Sequence, residues 1–202
     1  MKTGDKALRV LETRYGGIRY RSRAEARWAV FFDMIGLRHQ YEPEGFEVRV
    51  GYYCPDFWLP DLRMFFEVKG TEPAPDEIGK CEALAEAAEC DVLLSSGPPD
   101  ASFSLLWFDR RGQRAGRYVI ALDRNPRAGF WLVGEEDMGR ECQFVGPASN
   151  VLRTGPVFSG ATDEAYCEAR TCRFSGDERG RPFTRLDHGF GGSRAEAEDH
   201  AA

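Results

Sequence analysis

Nowhere does the chain hold an apolar run near the roughly 18 residues that a membrane-spanning helix requires. The N-terminal MKTGDKALRV has no apolar core of signal-peptide length either. The expectation is a cytoplasmic protein without a membrane partner. Cys-x2-Cys pairs are missing too, although cysteines stand at 54, 81, 90, 142, 167 and 172. Zinc sites are usually built on such pairs, so no zinc is expected and the cysteines read as reduced thiols, several of them buried. Cys142, Cys167, Cys172 and His188 could be gathered in space, but their spacing is unlike zinc motifs. There is no internal repeat. Positive charge is not in excess: 27 Lys and Arg face 33 Asp and Glu, for a net charge of -6. That balance argues against a polycationic nucleic-acid binder.

What is present fits a folded chain. Its 202 residues are 42% hydrophobic and 12% aromatic, enough for one good core and a small appendage. Charge is uneven: residues 1–70 carry 12 Lys and Arg against 10 Asp and Glu, and residues 71–202 carry 15 against 23. Arg14, Arg19, Arg21, Arg23 and Arg27 crowd one short stretch. Such a patch can bind phosphates, or it can be a solvated helix face with ordinary ion pairs; charge alone does not separate the two.

Ser22 followed by Glu25 has the capping-box spacing, and Ala24, Trp28, Phe31 and Ile35 recur with the period of a buried helical stripe. A helix is expected over 23–35, ended by Gly36. Phe46, Val48 and Val50 alternate with polar residues; with 52–59 and 62–68 they predict a three-strand meander. A second helix over 76–89 buries Ile78, Cys81, Leu84, Ala85 and Ala88, and Val92 to Leu94 reads as a buried parallel strand after a crossover. Further on, strands are expected at 103–108, 118–122 and 130–133, a loop-rich stretch over 134–160, and a helix from Glu164 to about Phe174 capped by Thr162 or Asp163. The tail 189–202 lacks core residues and is expected to be disordered.

The most informative stretch is PDFWLPDLRMFFEVKG, residues 55–70. It reads as two strands joined at Pro60-Asp61. Alternation puts Phe65, Glu67 and Lys69 on one face and Phe66 and Val68 on the other, with Asp56 reaching the first group from the neighbouring strand. Two carboxylates beside an ammonium form an oxygen-ligand site for a hard divalent cation. A Mg2+ held there lowers the pKa of water and offsets phosphate charge, which is the chemistry of phosphodiester hydrolysis. Glu-x-Lys taken alone is more often an exposed cross-strand ion pair. Glu25, likewise, could do no more than close its capping box, or it could also lean toward Asp56 and Glu67.

Asp56, eleven positions before Glu67-Val68-Lys69 and preceded by a helix carrying Glu25, resembles the PD-(D/E)XK nuclease superfamily. RSRAEARWAVFF, YEPEGF, CPDFWLP and FFEVKG look like the small nucleases common in phage and bacterial genomes, over roughly residues 20–98. The resemblance implies an α/β fold with an α+β mixed sheet: a restriction-endonuclease-like αβββαβ core over 1–98, a β-rich and helical extension over 99–188, and the tail. It implies a Mg2+-dependent DNA endonuclease, with Mn2+ able to substitute. Asp56, Glu67 and the Val68 carbonyl would hold the ion, and Glu25 would complete the shell. Lys69 would position or deprotonate the attacking water. Lys80 is similar to a basic position that would contact backbone phosphate, the patch of Arg19, Arg21, Arg23 and Arg27 read from charge is the other candidate to meet the DNA, and a homodimer could cut both strands. The reading from a different class is a non-catalytic nucleic-acid-binding or interaction protein on the same scaffold.

Overall fold

The computed structural model describes residues 11–102, 104–122, 130–135, 142–145, 152–153 and 160–174. The expected tail at 189–202, His188 and the Cys142 side chain lie outside what is described.

A hairpin of β1 (Thr13–Tyr15) and β2 (Ile18–Tyr20) leads into α1 (Arg23–Ile35). Ser22 Oγ accepts the Glu25 N–H at 3.1 Å, as the capping pattern requires. Gly36 ends the helix at φ 73°, a conformation open to glycine, which lets the Leu37 N–H reach the Phe32 carbonyl at 2.8 Å. Next come β3 (Gln40–Tyr41), β4 (Phe46–Val48), β5 (Gly51–Tyr53), β6 (Phe57–Leu59) and β7 (Met64–Lys69). Then follow α2 (Pro75–Ala88), β8 (Asp91–Ser96), β9 (Leu105–Phe108), β10 (Arg114–Leu122) and β11 (Phe130–Gly134). The last elements are β12 (Cys142–Val145), β13 (Leu152–Arg153) and α3 (Gly160–Thr171).

Nine strands form one sheet in the order β13-β12-β11-β10-β9-β8-β7-β6-β3. Only β7 and β8 run parallel, with α2 as the connection between them; every other neighbouring pair is antiparallel. The fold is a mixed α+β architecture whose sheet runs unbroken across residues 98–99, where β8 pairs with β9.

Alternation along β7 divides the core. Phe66 and Val68 pack on the α1 face with Trp28, Phe31, Phe32 and, from α3, Tyr166. Phe65 packs on the α2 face with Cys81, Leu84, Leu94 and Phe108. The ring of Tyr166 stacks on Phe31 at 4.2 Å, and its hydroxyl donates to the Ile120 carbonyl at 2.8 Å.

Three expectations need correction. The meander does not form: β4 and β5 make a separate hairpin, and β3 takes the place beside β6. The expected strand over 52–59 breaks at Cys54-Pro55, where proline has no N–H for a ladder. The loop-rich stretch 134–160 also holds β12 and β13, which are too short to leave a period in the sequence and are held by the ladder from β11. Finally, α3 starts at Gly160 and ends at Thr171, so that Thr162, fully buried, lies within its first turn instead of standing before it as a cap. No helix among the described residues is long and apolar enough to cross a membrane.

His39 offers a test of the α1 face. Its ring lies 5.5 Å from that of Phe32 and 5.8 Å from that of Phe57. Burial holds its pKa below the usual value, against the pull of Asp33. The unfolded chain takes up a proton near pH 6.5 where the folded chain resists, so the unfolded state gains protons as pH falls. The His39 contribution to stability is therefore complete above about pH 6.5 and lost below it. Urea midpoints measured from pH 8 to 5 should fall more for wild type than for His39→Phe; parallel profiles would contradict this burial.

Candidate functional site

The β6–β7 ladder begins at Phe57↔Phe66. One step outward Asp56 stands opposite Glu67, and there the strands part while β7 continues beside β8 as far as Lys69↔Ser96. Side chains satisfy the backbone groups that the fork leaves without a ladder partner. The Val68 N–H donates to Asp56 Oδ2 at 2.8 Å, and the Asp56 N–H donates to Glu67 Oε2 at 3.2 Å. Each carboxylate is thus anchored on the other's strand. Asp56 is 2% and Glu67 3% exposed, far below what carboxylates ordinarily show.

Each of these acids also meets a cation. Lys69 Nζ lies 2.8 Å from Glu67 Oε1 and 3.7 Å from Glu77 Oε1, on the first turn of α2. Arg21 Nη2 lies 2.5 Å from Asp56 Oδ1, while its Nε donates to Glu42 Oε1 at 2.9 Å. Glu25, itself buried, accepts from the Arg21 N–H at 3.0 Å and from Tyr41 Oη at 2.6 Å. The capping box is thereby displaced by one residue, since the Glu25 carboxylate reaches the backbone before Ser22. Its link to Asp56 runs through Arg21. Among the described residues, no three His, Cys, Asp or Glu side chains converge in a geometry that would hold an ion.

The electrostatics are those of crowded acids. Burial first, then the charges of Glu67 and Glu25, pushes Asp56 well above the usual carboxylate range, against the Val68 N–H and Arg21. Burial pulls the Lys69 ammonium down, but Glu67, Asp56 and Glu77 together carry it above its ordinary value. The Tyr53 hydroxyl is buried, and burial first, then the Glu67 charge, raises its pKa. The carboxylates of Asp56, Glu67, Glu42 and Glu77 outnumber the counter-charges of Arg21 and Lys69, an excess of hard oxygen that a divalent cation would offset.

The remaining predicted residues are dispersed. Arg19 is exposed and lies 3.6 Å from Glu12; Arg23 is exposed at the start of α1. Arg27 has a buried Nε without a partner and acts on Cys172, beyond the end of α3. Lys80 lies 3.7 Å from Asp76 on α2. The Val68 side chain is buried on the α1 face while its N–H serves Asp56.

Sequence reasoning missed Tyr41, Glu42, Tyr53 and Glu77 as parts of this site. Tyr41 and Glu42 sit inside the quoted YEPEGF segment, which was a signal without a role attached. Tyr53 and Glu77 gave none, because what brings them near is the β4–β5 hairpin and the entry of α2.

A cavity of about 900 Å3 opens elsewhere, lined by Trp58, Arg63, Asp91, Trp107 and Arg110 among others. It lies at the opposite ends of β7 and β8, roughly 17 Å from Lys69 at about 3.3 Å per residue. The acids instead gather where the two parallel strands end, the usual place for ligands in sheets with crossover helices. Compared with known proteins, the chain matches no family model, no curated protein and no solved structure.

Proposed function

We propose that this protein is a Mg2+-dependent nuclease that hydrolyses phosphodiester bonds in DNA. Its core would be restriction-endonuclease-like, with α1, β6, β7, α2 and β8 as the central elements in that order. The observation that carries the reading is the mutual hold of Asp56 and Glu67 across the fork, with Lys69 on Glu67 at 2.8 Å. Asp56, Glu67 and the Val68 carbonyl would hold the ion, with Glu25 farther out. Bound there, a divalent ion supplies a water of lowered pKa and charge to offset the phosphate.

The protein's own groups do the rest. Asp56 and Glu67 are fixed by backbone N–H groups, so little reorganisation is left for the reaction itself. Lys69, steadied between Glu67 and Glu77, orients the attacking water and meets charge on the phosphate. Arg21 is the nearest further cation for the DNA backbone.

A second reading, non-catalytic binding of nucleic acid, is favoured by one observation. All four oxygens of the two inner acids already accept from Arg21, Val68, Asp56 or Lys69. One assay divides the two readings. The purified protein should cut at least one of linear, circular, single-stranded or branched DNA in Mg2+ or Mn2+, and stop on chelation. Inertness on all four in both ions would defeat the nuclease reading.

A further inference from the structure

We propose that Arg21 is a displaceable cation: it and the divalent ion are alternative partners of Asp56 Oδ1, and Glu42 retains the guanidinium when the ion binds. The inference rests on the nuclease reading above. Asp56 Oδ2 is committed to the Val68 N–H at 2.8 Å, so Oδ1 is the oxygen left for coordination. Arg21 Nη2 already lies on it at 2.5 Å. A guanidinium and a dication sharing one oxygen repel each other strongly in so buried a place.

The arginine has somewhere to go. It bridges an inner acid, Asp56, whose side chain is 3% exposed, and an outer acid, Glu42, whose side chain is 39% exposed. With its own side chain 57% exposed, it can swing without disturbing the core. Its backbone stays in place, because the Arg21 N–H remains on Glu25. Glu42 is held close by its own N–H, which donates to the Asp56 carbonyl at 2.8 Å. Glu42 also sits at φ 43°, a left-handed conformation disfavoured for such a residue and kept only where the surroundings over-determine it. Lys69 repeats the arrangement, with Glu67 inside at 2.8 Å and Glu77 outside at 3.7 Å.

The test is Mn2+ binding by calorimetry on the full chain. Arg21→Gln should tighten the ion about tenfold, because its competitor is gone. Glu42→Gln should weaken it several-fold in the wild-type background and leave it unchanged in the Arg21→Gln background, because Glu42 acts through the arginine. An unaltered or weaker affinity in Arg21→Gln would overturn the proposal. So would a Glu42→Gln effect of equal size in both backgrounds, the mark of a static charge. If Arg21→Gln does not fold, the Arg21 Nε–H resonance of the wild-type protein decides: it should shift and saturate with Mg2+, and a stationary resonance would refute displacement. Failure of the nuclease reading itself looks different, since wild type would then bind no ion that Glu67→Gln abolishes.

Discussion

Asp56→Asn is expected to abolish Mg2+-dependent DNA cleavage, by about 10^3-fold or more, while leaving the fold intact. The size follows from losing an ion ligand that supports several kcal/mol of charge stabilisation, at about 1.4 kcal/mol per tenfold in rate. The fold should survive because asparagine keeps an oxygen to accept the Val68 N–H. Arg21, more than half exposed, loses a partner but retains Glu42 and solvent, so no buried charge is stranded. Crowding by Glu67 and Glu25 is relieved at the same stroke. The thermal midpoint of Asp56→Asn should therefore equal or exceed that of wild type, as at other sites where function keeps like charges together. A plasmid-cleavage time course and a melting curve on one preparation check both halves. Activity within tenfold of wild type would remove Asp56 from the chemistry, and a lowered midpoint would contradict the crowding.

The second large effect lies in the support of that site. Trp28→Ala is expected to cost about 3–5 kcal/mol of stability, the usual range for deleting a buried indole. Trp28 is fully buried, with its ring 4.7 Å from Phe66, 5.5 Å from Phe31 and 5.7 Å from Phe32. Its Nε1–H donates to the Gly97 carbonyl at 3.0 Å, and the Gly97 N–H donates to the Lys69 carbonyl at 2.6 Å. One side chain thus ties α1 to the backbone that carries Lys69. A loss of that size is a large share of the roughly 5–15 kcal/mol typical of a domain. Trp28→Phe keeps most of the packing and loses the bond, so about 1–3 kcal/mol should go. Urea unfolding reads both. A cost below about 1 kcal/mol for the alanine variant would contradict a core organised around this residue.

Much of the first half was legible because its signals are local. Ser22, Glu25 and Gly36 bound α1 by capping chemistry within a few residues, and the stripe of Trp28, Phe31 and Ile35 marks its buried face. The apolar run at 92–94 became β8, parallel to β7, because a helix intervenes. The alternation along 65–69 separated the Phe65 face from the Phe66 face as the two clusters do. What could not be read depends on partners distant in sequence. Nothing in residues 40–41 says that they, and not 46–48, will edge the sheet; Pro55 decides that by interrupting the chain where a long strand would have formed. β12 and β13 exist through ladders alone. At the site, residue types pointed to the acids and Lys69, but the two cations shared between inner and outer acids arise only when Glu42 comes up to Arg21 and the start of α2 to Lys69.

The most direct test is a crystal of the protein soaked in Mn2+, with anomalous scattering collected at the manganese edge. A peak between Asp56 and Glu67, with carboxylate oxygens at roughly 2.0–2.6 Å as hard-cation ligands require, is the predicted result. A crystal in which manganese settles elsewhere, or in which Asp56 and Glu67 keep only their present cations at saturating Mn2+, would contradict the account.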